Sequence, residues 1–265
     1  MKKLLFITML AGLFLTPVLA DRPIDETVAA DPDGEVSIEL IAGSIHVIGW
    51  DRAEVQVTGT VGDDVEEVDI SASGGDVSIE VELPDRDDDD SEDRSFNDAD
   101  ADLEIRVPAG CLLEVETISA GITVEDFSGA VDLESISGEV SIEGAPSEAE
   151  VATVSGRIVL SSDEPLNEGD FESVSGNIEV RAALAPGGDF SFESVSGNIE
   201  LRLPGSTSAD FDVETFSGRI ENEFGPEAER DSELVPGKSL QFTTGGGDAD
   251  VEIESFSGRI ELRID

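Results

Sequence analysis

The sequence predicts an all-β fold, a single-stranded β-solenoid (parallel β-helix) of about ten coils of 18–21 residues. Three observations carry that prediction: a serine-centred motif recurring at near-constant spacing, apolar residues that fall into fixed columns when the motifs are aligned, and a glycine after nearly every corner serine. The motif reads Thr117-Ile118-Ser119-Ala120, Ser135-Ile136-Ser137-Gly138, Thr153-Val154-Ser155-Gly156, Ser173-Val174-Ser175-Gly176, Ser194-Val195-Ser196-Gly197, Thr215-Phe216-Ser217-Gly218 and Ser255-Phe256-Ser257-Gly258. Its serines are 18, 18, 20, 21, 21 and 40 residues apart. Read as two units of 20, the last gap places Leu240 and Phe242 in a skipped coil.

Each unit begins with a strand. Leu113, Val131, Phe190 and Phe211 stand six residues before their corners, and Val115, Leu133, Phe192 and Val213 stand four before, the period-2 alternation of a strand with one buried face. The corner follows, built from Ser137, Gly138, Ser155, Gly156, Ser175, Gly176, Ser196, Gly197, Ser217, Gly218, Ser257 and Gly258. The apolar residue just before each corner serine (Ile118, Ile136, Val154, Val174, Val195, Phe216, Phe256) interrupts the alternation, which predicts a bend whose two flanks both face inward. Glycine there is read as supplying a backbone shape that a Cβ resists. A second strand comes next, with Ile122, Val140, Ile158, Ile178, Ile199, Ile220 and Ile260 in one column. A unit of about 20 residues is too short to bury these columns alone, so units must stack at ~4.8 Å per rung. A β-sandwich of short strands would not need the same columns and corner in every unit.

Degenerate copies precede the regular run, at Ile41 to Val47 and at Val68 to Ile79. The predicted organisation is therefore an export signal over 1–20, a lead-in over 21–34, degenerate coils over 35–83, an acidic insertion over 84–100 and the regular repeat over 101–265. The first segment starts with Met1-Lys2-Lys3, continues through an apolar run from Leu4 to Leu15 and ends in Val18-Leu19-Ala20, the pattern of a cleavable signal. The run falls short of the ~20 residues that a membrane span needs. After cleavage the chain is expected to be periplasmic, secreted or held at the cell surface, and not an integral membrane protein. Cys111 is the only thiol, so no internal disulfide forms, and its apolar setting predicts burial.

Charge restricts the partners. Sixty-two acids against 15 Lys and Arg leave a net charge of -47, which disfavours nucleic acid and anionic membranes. Glu116, Glu134, Glu172, Glu193, Glu214 and Glu254 form one outward column, and Glu179, Glu200, Glu221 and Glu261 a second. Carboxylates stacked ~4.8 Å apart repel by about 1 kcal/mol per pair in water. Arg181, Arg202 and Arg263 share a column beside the second ladder, and Arg157, Arg219 and Arg259 share another, which offsets part of that repulsion. Screening by salt explains the remainder, so the surface reads as adapted to a saline, halophilic setting. Divalent cations are the alternative, with Asp87, Asp88, Asp89, Asp90 and Asp93 as metal candidates, although that run lacks EF-hand spacing. Gly245-Gly246-Gly247 reads as a close-packed turn.

The recurring Glu-Ser/Thr-Val/Phe-Ser-Gly-Asn/Arg-Ile, as in Glu172 to Ile178, Glu193 to Ile199 and Glu254 to Ile260, together with Gly245-Gly246-Gly247, resembles the bacterial candidate-adhesin domain, a domain of unknown function. The resemblance covers about residues 35–265. It implies an extracytoplasmic β-solenoid associated with the cell envelope, and it brings no catalytic motif to transfer. The residues agree: the glutamates recur from unit to unit, as scaffold positions do, with Ala152 the exception in the first column, and His46 is the only histidine, in an outward column of a degenerate coil. The expected function is a non-catalytic adhesin-like module with a binding or structural role, without cofactor, whose partner is an envelope or surface component. A polysaccharide-acting β-helix enzyme and a calcium-dependent surface module are the alternatives.

Overall fold

A computed structural model describes residues 22–84, 99–230 and 237–265. The predicted export signal and the metal candidates Asp87, Asp88, Asp89, Asp90 and Asp93 lie outside the described residues. The chain is all-β, and its strands form two large mixed sheets.

In chain order the N-terminal strands are β1 (Arg22–Ala29), β2 (Glu35–Leu40), β3 (Gly43–Trp50), β4 (Glu54–Val61), β5 (Glu67–Ser73), β6 (Asp76–Glu82) and β7 (Ala101–Pro108). The serine-corner strands follow: β8 (Leu112–Thr117), β9 (Gly121–Glu125), β10 (Ala130–Ser135), β11 (Val140–Gly144), β12 (Glu148–Thr153), β13 (Ile158–Leu166), β14 (Glu168–Ser173), β15 (Ile178–Leu184), β16 (Asp189–Ser194), β17 (Ile199–Leu203), β18 (Ala209–Thr215) and β19 (Arg219–Asn222). The chain closes with β20 (Glu229–Arg230), β21 (Lys238–Thr244), β22 (Asp250–Ser255) and β23 (Arg259–Ile264). The first sheet has the order β1, β4, β7, β3, β9, β11, β13, β15, β17, β23, β19, and the second β20, β21, β18, β22, β16, β14, β12, β10, β8, β2, β6, β5.

Each serine corner joins a strand of the second sheet to one of the first, so every repeat contributes one rung to both. Neighbouring rungs pair in parallel with like residue over like: Phe171 opposite Phe192, Glu172 opposite Glu193 and Ile178 opposite Ile199. Between the sheets, the apolar columns of the two strands, such as Leu113 with Val131 and Ile178 with Ile199, are buried, and Ile220 is partly so. The rings of Phe171 and Phe192 stack at 5.1 Å and 7°. Gly169 makes room for this pair, since a Cβ on it would stand 2.8 Å from the Phe171 ring.

The structure corrects the chain-order coil in three places. First, the C-terminal rung is not last: β22 lies between β16 and β18, and β23 between β17 and β19. Second, the coil expected around Leu240 and Phe242 is an antiparallel strand, with Leu240 opposite Val213 and Phe242 opposite Phe211. The reason is occupancy: β22 takes one edge of β18, leaving only the outer edge for β21. Third, Val68 to Ile79 is a hairpin, because β5 and β6 are joined through Gly74 and Gly75 at φ of 71° and 111°, a turn that only antiparallel neighbours can use. The parallel partner of β6 is β2, and β7 pairs with β3, so β6 and β7 form a rung whose two strands flank the acidic insertion.

Candidate functional site: a groove along the second sheet

The last residues of each serine-corner strand in the second sheet alternate in direction. The Glu before the corner points outward, the Ser or Thr after it is buried, and the apolar residue that follows points outward again. Ile118, Ile136, Val154, Val174, Val195, Phe256 and Phe216 are therefore exposed, not inward-facing as the sequence suggested, and Ile41 extends the row onto β2. Their exposures, from 37% at Ile41 to 57% at Phe256, leave about half of each side chain in water.

Hydrogen bonding explains why the small hydroxyl residue takes the inner slot. Ser135 Oγ accepts the Gly138 N–H at 2.8 Å, Ser173 Oγ the Gly176 N–H at 2.7 Å and Ser194 Oγ the Gly197 N–H at 2.8 Å. An apolar side chain there would leave that buried donor unpaired, at about 1–3 kcal/mol. The corner serines bond outward instead: Ser137 Oγ donates to the Ile118 carbonyl at 3.1 Å, Ser175 Oγ to Val154 at 3.1 Å and Ser257 Oγ to Val195 at 3.2 Å. The corner glycines are set by close approach between rungs. A Cβ on Gly156 would overlap the Gly138 carbonyl oxygen, one on Gly176 that of Gly156, one on Gly197 that of Gly176, one on Gly258 that of Gly197 and one on Gly218 that of Gly258. None of these glycines has a positive φ, so crowding, not left-handed backbone, selects glycine. Ser155 and Ser217 repeat the pattern, donating to Ile136 and Phe256 at 3.2 Å each.

The result is a groove of about 1040 Å³ running across the rungs. The outward glutamates, Glu116, Glu134, Glu172, Glu193, Glu254 and Glu214 among them, form one flank, the buried hydroxyl row the floor and the apolar ladder the other flank. Ala152 replaces Glu on one rung. At one end, Phe216 and Phe256 stack at 4.9 Å and 10°, and Lys238 joins the lining. From Ile41 to Phe216 the groove crosses eight rungs, about 34 Å at ~4.8 Å per rung.

The two sheets differ electrically. On the first sheet the arginine columns pair with acidic neighbours: Arg157 meets Glu179 at 2.5 Å, Arg259 meets Glu261 at 3.0 Å, and Arg263 reaches Glu261 at 2.6 Å and Glu223 at 2.9 Å. Arg202 pairs with Glu200, and Arg181 with Asp265 at 2.7 Å. The Glu261 carboxyl is held below its ordinary range, chiefly by the Arg263 hydrogen bond. His46 sits on this sheet, 3.1 Å from Glu125. On the second sheet, among the described residues, no arginine pairs with Glu116, Glu134, Glu172, Glu193 or Glu254. Burial, then Glu172 and Glu254, push the Glu193 carboxyl upward. Asp132, followed by burial, does the same to Glu150 in the adjoining acidic row, and burial followed by Glu35 and Asp132 to Glu114.

Among the described residues no group of His, Cys, Asp and Glu is placed to hold a metal ion, and no helix is long and apolar enough to cross a membrane. Cys111 is buried, and burial pushes its thiol up to about 12.

No curated protein matches the chain. Among solved structures, it is similar to a candidate cell adhesion protein from Clostridium sporogenes ATCC 15579, at 13% identity and a TM-score of 0.41 over 92% of this chain and 100% of that one. Candidate adhesins from Bacteroides fragilis NCTC 9343 (9% identity) and Parabacteroides distasonis ATCC 8503 (12%) both give a TM-score of 0.43 over 92% of this chain and 98% of theirs. The profile of the Toastrack DUF4097 family, a domain of unknown function, matches residues 33–263, nearly the whole described chain, and the protein belongs to that family.

Proposed function

We propose that the chain is an exported, non-catalytic, adhesin-like β-solenoid that binds a component of the cell envelope or of a facing surface through the groove on its second sheet. The rungs are the solenoid turns, reordered at the C-terminal end and flanked by antiparallel strands. One observation carries the reading: a contiguous apolar row is left in water on eight successive rungs. Scattered exposed apolar residues need no explanation, whereas a continuous row of this length marks an interaction surface. The uniformity of the rungs supports a binding role over catalysis, because a reacting centre would single out one rung and its charges. The second-sheet carboxylates Glu116, Glu134, Glu172, Glu193 and Glu254, which no arginine meets among the described residues, support a surface suited to salt, where screening relieves their repulsion.

The test immobilises the exported chain and measures retention of envelope fragments from the cells that produce it. A Val154→Asp/Val195→Asp variant, altered only at exposed positions and checked for native circular dichroism, should retain about tenfold less. Equal retention by the two proteins would remove the groove from the binding surface.

A further inference from the structure

Resting on the groove as the binding surface, we infer that its occupant is a basic amphipathic polypeptide segment, lying along the stack with cationic side chains on the glutamate flank and apolar ones on the ladder. The two flanks differ in kind and keep that difference from rung to rung, so the ligand must carry cationic and apolar groups repeatedly along its length. An extended polypeptide does this directly, since alternate side chains project to opposite sides. At ~3.3 Å per residue, about ten residues cover the groove.

The floor adds little selection of its own. The hydroxyls of Ser135, Ser173 and Ser194 are already engaged with the corner glycines, and the row is buried. Recognition therefore falls to the flanks and tolerates many sequences of the right pattern. The stacked Phe216 and Phe256 rings, exposed beside the Glu254 row, add a face that a guanidinium or ammonium group can cover. A second copy of this chain would bring another net charge of -47, and nucleic acids and anionic lipids would meet the same repulsion. The first sheet differs, because Glu179, Glu200 and Glu261 there are already paired with arginines.

The experiment measures fluorescence anisotropy of a labelled peptide of about ten residues, alternating lysine and leucine, titrated with the full chain in ~0.15 M NaCl. Its partner peptide has serine in place of every leucine and the same charge. The lysine–leucine peptide should bind at least about tenfold more tightly than the lysine–serine peptide. Glu172→Gln/Glu193→Gln/Glu254→Gln and Val174→Ser/Val195→Ser should each weaken it by about tenfold, while Glu114→Gln/Glu150→Gln/Glu252→Gln, which removes equal charge one row outside the groove, should change it less than about threefold. Equal loss in the two glutamate variants, or equal binding of the two peptides, would reduce the effect to general attraction and overturn the inference. Displacement of the peptide by phosphatidylcholine vesicles that themselves bind at least as tightly and lose affinity in the valine variant would assign the groove to lipid. That would overturn the polypeptide occupant while leaving the groove as the binding surface.

Discussion

The Ser196 hydroxyl and its own backbone N–H both donate to the Val174 carbonyl oxygen of the neighbouring rung, at 3.2 and 3.0 Å. The pair holds the backbone of Val174 while its side chain stands outside the sheet. Because the N–H alone satisfies that carbonyl, Ser196→Ala should cost only about 0.5–1 kcal/mol. The adjacent Gly197→Ala should cost about 3 kcal/mol or more, because its methyl group meets the Gly176 carbonyl, a backbone atom that cannot turn aside. Urea unfolding of the two variants measures the contrast.

The C-terminal rung should hold the end of the stack together. Ile253 is buried and pairs with both Phe192 and Val213, whose strands are not neighbours in the sheet. Ile253→Ala should destabilise by about 2–4 kcal/mol. Amide exchange should accelerate most in β18, β19 and β21, with β8 to β15 keeping their protection, because stability in stacked repeats passes through nearest neighbours.

Carboxylates crowded by acidic neighbours set the response to acid. Glu82, Glu114, Glu150 and Glu193 have raised values in the folded chain, so the folded state takes up protons before the unfolded one does as pH falls. Stability should therefore rise on acidification from neutrality through these raised values. It should then fall below the ordinary carboxylate range, where Glu223, Glu261 and Asp265, held low by their partners, lose their ion pairs. Unfolding midpoints across this range should pass through a maximum on the acid side of neutral. A monotonic decline from pH 7 would assign little weight to the second-sheet repulsion.

Salt should act on the same rows. Shortening the Debye length from ~10 Å at 0.1 M to ~3 Å at 1 M screens the second-sheet carboxylates, so NaCl should raise the thermal midpoint steadily. Calcium should add nothing over magnesium at constant ionic strength. A calcium-specific gain at millimolar concentration would instead support a calcium-dependent surface module.

How much of this was legible in the sequence turns on the difference between apolar character and direction. The buried columns, such as Leu113 with Val131 and Ile178 with Ile199, were readable because hydrophobicity and period agreed. At the corner they disagreed. Val174 is apolar and Ser173 polar, yet the strand keeps its alternation and buries Ser173, because the Gly176 N–H needs an acceptor there. Counting positions from Phe171 through Ser173 would have placed Val174 outside. The paired arginine columns were legible as columns, while the placement of the Arg157–Glu179, Arg259–Glu261 and Arg263–Glu261 pairs on one sheet required the fold. The order of the rungs had no sequence signal, since every repeat presents the same columns to its neighbours. The 40-residue gap between Ser217 and Ser257 was equally compatible with an intervening coil and with the inserted order that the structure adopts.

The central claim is that the apolar residue before each corner serine faces water, and thiol labelling tests it most directly. A Val174→Cys variant keeps Cys111 as an internal control, buried and with its thiol pushed up to about 12. Treated with a maleimide at neutral pH, the folded variant should label rapidly at one thiol, and the second should react only after unfolding. If neither thiol reacts until the chain unfolds, Val174 faces inward and the groove does not exist.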